Sequence, residues 1–119
     1  MSDLEDRWDE LLFSIIVMAT GDEPAEADVA QLNVRIGSLH LVQPFNWNEW
    51  AADFPSREQI AELSLADCVR HITRLVRLNR FAEGVLFNAV RSGDLMALCM
   101  RAKQLANGEP VPNVFDTAN

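Results

Sequence analysis

The stretch RLVRLNRFAEGVLF, residues 74–87, concentrates positive charge in a chain of 119 residues whose formal net charge is −8. Arginines recur every three residues at Arg74, Arg77 and Arg80, and a single acid, Glu83, follows them. Glu83 lies three residues after Arg80 and six after Arg77, so its carboxylate is within reach of either guanidinium group. A bidentate arginine–carboxylate pair fixes the geometry of a helix junction. A structural salt-bridge cluster is therefore one interpretation of this stretch.

A binding site for an anion is the alternative interpretation. Arg77 and Arg80 would then bind phosphate or carboxylate oxygens, which a guanidinium group contacts through paired donors. Trp47 or Trp50 would add an aromatic wall on which the ligand stacks. The candidate binding residues of the chain are Thr73, Arg77, Arg80, Glu83, Trp47 and Trp50.

Motifs of metal, nucleotide and nucleophilic sites are missing from the sequence. The spacing of Cys68 and His71 would let two ligands share a helix face, but a zinc site needs a second pair, which the sequence lacks. No glycine-rich phosphate loop or dinucleotide fingerprint occurs. Cys68 and Cys99 lie in apolar helical patterns, which favours buried free thiols and a reducing compartment. We therefore predict no catalytic residue, no metal and no cofactor.

Charge is divided unevenly along the chain. Residues 1–30 contain nine acids and one arginine, whereas residues 68–107 contain seven basic residues and two acids. Such asymmetry indicates either a surface for a basic partner or charge compensation between the two halves of one molecule. The candidate acidic interaction surface consists of Asp3, Asp6, Asp9 and Glu10.

Apolar residues recur at helical spacing in every segment, and strand-like alternation is not present. The sequence therefore predicts an all-α fold, a single compact bundle of five to six helices over residues 1–106, with a C-terminal tail over residues 107–119. The chain length suits one domain with one ordinary core. The predicted core comprises Trp8, Leu11, Ile15, Leu32, Ile36, Val69, Ile72, Val76 and Leu86.

A short helix is predicted to carry the two candidate tryptophans. Asn46 and Glu49 have the spacing of a capping box, which indicates a helix beginning at Asn46. Because Trp47 and Trp50 are three residues apart, such a helix would place them on one face, over the core.

A longer helix is predicted to begin at Ser64 and to carry the arginines. One side of this helix is apolar, and the opposite side presents Arg70, Arg74 and Arg77. Thr73 and Arg80 fall at the boundary between the two sides. Gly84, which follows, is expected to let another helix approach closely.

The segment ITRLVRLNRFAEGVL, residues 72–86, resembles the signature TxxxRxxRFxEGxL of a bacterial domain family catalogued as of unknown function. That family also tends to show an upstream FxWxxW, which Phe45, Trp47 and Trp50 match. The resemblance extends over roughly residues 5–106, although only these two stretches are specific. It implies a helical fold and assigns no activity to the matched residues.

Three hypotheses about function follow from these features. The first is a non-enzymatic protein-interaction module that docks a protein partner or assembles into a homo-oligomer. The second is an acidic mimic of nucleic acid that inhibits a basic nucleic-acid-binding protein of host defence, of the anti-CRISPR or anti-restriction type. The third is a binder of, or enzyme for, an anionic small molecule at Thr73, Arg77, Arg80 and Glu83. Direct binding of nucleic acid is disfavoured because the net charge of −8 repels phosphate at long range.

The sequence also bears on where the protein works. Its first residues are acidic, whereas a secretory signal begins with positive charge. The longest apolar run, residues 11–19, is about half the length that a bilayer requires. We therefore expect a cytoplasmic protein with no membrane partner.

Overall fold

Six α-helices account for the regular structure in a computed structural model that describes residues 3–21, 26–47, 49–50, 53–82 and 84–115. Over these ranges the chain contains no strand, which confirms the predicted all-α class. The helices are α1 (Asp3–Ala19), α2 (Glu26–Ser38), α3 (Arg57–Ile60), α4 (Leu65–Leu78), α5 (Val85–Ser92) and α6 (Asp94–Leu105).

The helices enclose one hydrophobic core. Helix α1 packs against α2, α5 and α6, and α4 packs against α5 and α6, while the short α3 contacts α6. Eight of the nine predicted core residues are buried; the ninth, Val76, packs against the core while partly exposed. Cys68 and Cys99 are buried free thiols, as predicted. Among the helices of the described ranges, none has the length and apolar composition that a membrane crossing requires.

The cap residues of α3 and α4 are those that the sequence indicates. The Ser56 hydroxyl accepts from the Gln59 amide, and the Gln59 side chain accepts from the Ser56 amide, which completes a capping box. At α4, the Ser64 hydroxyl accepts from the amide of Asp67. These bonds satisfy amides that the first turn of a helix leaves unpaired.

Gly84 has a different role from the predicted one. An added Cβ there would meet nothing within 4 Å, so close helix approach does not require a glycine. The φ of 93° at Gly84 is what requires a glycine, because this left-handed conformation is unfavourable for a residue that has a Cβ. Gly84 cannot cap α5 with a side chain, and the Asn79 side-chain oxygen instead accepts from the Leu86 amide at 3.1 Å.

The segment after α6 was predicted to be a tail, and its described part, residues 107–115, packs against the helices. Val111 is buried, and its amide donates to the Leu39 carbonyl at 2.9 Å. The indole of Trp8 donates to the carbonyl of Glu109 at 3.1 Å. Val111 therefore belongs to the domain core, and Val114 and Phe115 pack against it.

The predicted short helix at Asn46 is not formed in the described residues 45–47 and 49–50, which form an irregular loop with turns at Trp47 and Glu49. The Asn46 amide group donates to the Glu49 carboxylate at 2.7 Å. The two side chains thus bond each other instead of capping backbone amides.

Candidate functional site

Residues from both candidate stretches line one open pocket at the C-terminal end of α4. Its volume is about 320 Å³. It is lined by Pro44, Phe45, Trp47, Arg77, Arg80 and Phe81. We call it the arginine–aromatic pocket. Two stretches about 30 residues apart in sequence thus meet at one surface, as expected if they form one site.

An aromatic pair and two arginines give this pocket its chemistry. The rings of Trp47 and Phe81 stack with centroids 6.2 Å apart and planes inclined by 29°. Phe81 is 79% exposed, which is unusual for a phenylalanine that has a packing partner. Arg77 is partly exposed and Arg80 is exposed. Within the described ranges, neither guanidinium group has an ion pair or a hydrogen bond.

Glu83, the predicted partner of these arginines, lies outside the described residues. The structural salt-bridge cluster consequently stays a prediction.

The other two arginines of α4 contact aromatic rings. Arg70 lies over the ring of Phe115 at 5.0 Å and pairs with Asp67 at 2.7 Å. Arg74 lies over the ring of Trp50 at 4.6 Å, and its Nη1 donates to the Trp50 carbonyl at 3.4 Å. Cation–π contacts of this kind hold the loop before α3 and the C-terminal segment against α4. The cluster of arginines therefore divides into two that support the fold and two that line the pocket.

Trp47 and Trp50 do not share a face. Trp47 lines the pocket, whereas Trp50 packs on the ring of His71 at 4.6 Å and meets Phe45 edge-on at 5.7 Å. Trp50 is therefore a supporting residue, and the aromatic wall of the site is Trp47 with Phe81.

Thr73 is buried and does not line the pocket. Its hydroxyl donates to the Leu41 carbonyl at 3.3 Å and accepts from the Gln43 amide at 3.1 Å. These bonds attach the segment that leads into Pro44 and Phe45 to the middle of α4. Thr73 thus positions one wall of the pocket from beneath.

Gln43 is a positioning residue that sequence analysis missed. Its side-chain amide is buried and donates to the carbonyls of His40 and Pro112 at 2.8 and 2.9 Å. Its side-chain oxygen accepts from the Val114 amide at 2.9 Å. No periodicity or motif marks Gln43, since two of its three side-chain partners, Pro112 and Val114, come from a distant segment. Phe45 and Phe81 stand in the matched signatures, yet only the structure shows them lining the site.

The buried titratable groups of α4 and α6 are held neutral. Burial, aided by the positive charge of Arg74 and opposed by Asp67, lowers the pKa of His71 to about 4. Burial raises the pKa of the Cys68 thiol to about 11, and that of Cys99 is raised as well. A nucleophile paired with a base is thus not built from these groups. Over the described ranges, no group of three or more potential metal ligands occurs.

The acidic candidates lie on α1. Asp6, Asp9 and Glu10 are exposed, while the side chain of Asp3 lies outside the described residues. Lys103 approaches Asp9 to 3.7 Å, and Arg35 donates to the backbone carbonyl of Glu10 at 2.9 Å. Some compensation between the acidic and basic parts of the chain therefore occurs, and most of the acidic surface stays open to solvent.

Comparisons with known proteins identify a family and no activity. Neither curated proteins nor solved structures gave a match to the chain. A family model matches residues 17–108, a range that includes both stretches lining the pocket. The chain belongs to this family of unknown function, DUF6508.

Proposed function

We propose that the protein is a non-enzymatic protein-interaction module that binds an acidic segment of a partner protein in the arginine–aromatic pocket. One observation carries the proposal. Arg77 and Arg80, with no ion pair among the described residues, stand beside the stack of the half-buried Trp47 on the exposed Phe81. Carboxylates of a partner would pair with the guanidinium groups, and an apolar or aromatic side chain between them would pack on Phe81.

The chemistry of the lining favours binding over catalysis. Guanidinium groups keep their proton at all physiological pH values, so they donate hydrogen bonds without acting as acids or bases. Proline, phenylalanine and tryptophan side chains have no nucleophile. The described lining thus offers recognition groups and no proton-transfer group.

The shape of the pocket favours a protein segment over a small molecule. Small ligands are usually buried for most of their surface, in cavities of about 300–1,000 Å³. This pocket, at about 320 Å³, lies at the lower end of that range, and Phe81, which lines it, is largely exposed to solvent. Tryptophan, phenylalanine and arginine are also enriched in the centres of protein interfaces.

The net charge of −8 shapes the expected binding behaviour. It repels an acidic partner at long range, so the attraction must come from short-range contacts with Arg77 and Arg80. Added salt therefore screens both effects, and we expect affinity to depend only weakly on ionic strength.

Fluorescence anisotropy with short labelled peptides tests the proposal. The probes carry glutamates on both sides of one tryptophan, and the control peptides replace every glutamate with glutamine. Arg80→Ala and Phe81→Ala should each weaken binding about tenfold or more, as should the glutamine peptide. Arg91→Ala is a matched control, because Arg91 is exposed and lies outside the pocket.

Two results would contradict the proposal. Equal losses for Arg80→Ala and Arg91→Ala would show that binding reflects general charge. If free phosphate or benzoate displaced the peptide with comparable affinity, the site would instead suit an anionic small molecule.

A further inference from the structure

Helix α1 has an apolar surface that faces solvent. Phe13, Ile16 and Val17 are 63%, 51% and 47% exposed. Phe13 and Val17 also line a groove of about 230 Å³ between α1 and α2, whose α2 side includes Gln31 and Arg35. Exposed apolar residues that adjoin a groove are typical of interaction surfaces.

Acidic residues continue this surface toward the start of the helix. At about 100° per residue, Asp6, Asp9 and Glu10 project within about 60° of the direction of Phe13. Ile16 and Val17 fall in the same sector, opposite the buried side of α1. We call these six residues, Asp6, Asp9, Glu10, Phe13, Ile16 and Val17, the α1 face. Its N-terminal half is acidic and its C-terminal half is apolar.

We propose that the α1 face docks a basic amphipathic helix of another protein. The centres of its acidic and apolar halves are about seven residues apart, or roughly 10 Å along the axis at 1.5 Å per residue. A complementary helix therefore has an apolar cluster and a Lys/Arg cluster about two turns apart on one face. The apolar cluster packs on Phe13 and Val17, and the basic cluster meets the carboxylates.

The division of the face argues against a second copy of this chain as the occupant. An antiparallel copy in full register would place each acidic half on the partner's apolar half and bury the Asp6 and Glu10 carboxylates, whereas Asp9 has Lys103 beside it. A parallel copy would bring Asp6, Asp9 and Glu10 against their own equivalents. Either arrangement is unfavourable, whereas a basic helix removes both conflicts.

The apolar half also separates this surface from a mimic of nucleic acid. Such a mimic needs regularly spaced negative charge over its whole contact surface, because its target recognises phosphates. Phe13, Ile16 and Val17 occupy half of the α1 face and have no counterpart in a phosphate backbone. The surface thus fits a protein helix better than a site built for nucleic acid.

Isothermal titration calorimetry with designed helical peptides tests the inference. Two peptides carry a leucine cluster and a lysine cluster two turns apart, one in each chain order, and a third contains the same residues interspersed. We expect one ordered peptide to bind at least about tenfold more tightly than the interspersed one. Phe13→Ser, or the milder Val17→Thr, should weaken that binding by about tenfold, as should joint neutralisation of Asp6, Asp9 and Glu10.

Two control variants show whether a loss of peptide affinity is specific to the α1 face. Val34 of α2 is 69% exposed and does not line the groove, so Val34→Ser should leave the affinity unchanged. Arg80→Ala should also leave it unchanged, which separates this surface from the arginine–aromatic pocket. Circular dichroism on each variant checks that the fold is kept.

Three outcomes would overturn the inference. The first is equal affinity for the ordered and interspersed peptides. The second is equally tight binding of a peptide with lysines and alanines alone. The third is a dimer in sedimentation velocity that Phe13→Ser dissociates, since the face would then belong to a second copy of the chain.

Discussion

Replacing Thr73 with valine tests whether this signature residue supports the fold or touches a ligand. Valine has nearly the shape of threonine, so the change removes the hydroxyl without opening a cavity. The Gln43 amide, 3.1 Å from that hydroxyl, and the Leu41 carbonyl, at 3.3 Å, then lose their partner in a buried setting.

The expected cost follows from those two bonds. Leaving a buried polar group unsatisfied costs about 1–3 kcal/mol, and the longer bond to Leu41 adds least. We expect Thr73→Val to lower the free energy of unfolding by about 2 kcal/mol. For a domain of this size, the melting temperature should fall by roughly 8 °C.

Thermal unfolding and amide hydrogen exchange are the measurements. The backbone amide proton of Gln43 should exchange slowly in the wild type and in Thr73→Ser, which keeps the hydroxyl. It should exchange faster in Thr73→Val. Unchanged stability of Thr73→Val together with lost peptide binding would refute this reasoning. Thr73 would then be a ligand contact.

Three further predictions concern other parts of the fold. Because the pKa of His71 is lowered to about 4 from an ordinary value near 6.5, the unfolded chain takes up a proton first as pH falls between those values. Wild-type stability should therefore fall over that window, and urea titrations should show a smaller fall for His71→Gln; an identical fall would exclude a buried neutral imidazole. Gly37→Ala, at a helical position with space for a Cβ, should stabilise the protein by about 0.5–1 kcal/mol. Gly84→Ala should destabilise it by about 1–2 kcal/mol, because the φ of Gly84 is positive. Melting-temperature shifts of the same sign for both variants would contradict the assigned backbone conformations. Glu83→Ala should lower the free energy of unfolding by less than about 1 kcal/mol, because Arg77 and Arg80 are at least partly exposed. A buried ion pair would cost about 3–5 kcal/mol. A cost in that higher range, with a smaller one for Glu83→Gln, would support the salt-bridge cluster.

The helices and core could be predicted from sequence because local rules determine them. Trp8, Leu11 and Ile15 recur at the helical period, and all three are buried. The serine caps at Ser56 and Ser64 likewise act on amides three residues away. Such signals lie within one turn of the chain and need no tertiary information.

The path of the loop that builds the pocket could not be predicted in the same way. Its position depends on hydrogen bonds that join residues about 30 to 70 positions apart. The Gln43 side chain donates to the Pro112 carbonyl and accepts from the Val114 amide, and the Thr73 hydroxyl donates to the Leu41 carbonyl. Tertiary contacts of this kind override the capping signal at Asn46. The stacking of Trp47 on Phe81 could not be predicted either, because it depends on the position that the loop takes beside the end of α4.

The most direct test of the proposed function is a titration of the ¹⁵N-labelled protein with the glutamate–tryptophan peptide, followed through the tryptophan indole resonances. The chain has three tryptophans in distinct settings. Trp47 lines the pocket, Trp50 lies beneath Arg74, and Trp8 is buried with its indole bonded to Glu109. The arginine–aromatic pocket predicts that the Trp47 indole signal shifts furthest, and that Phe81→Ala removes the shift. A peptide that binds while perturbing only residues of α1, or that leaves Trp47 unmoved, would contradict it.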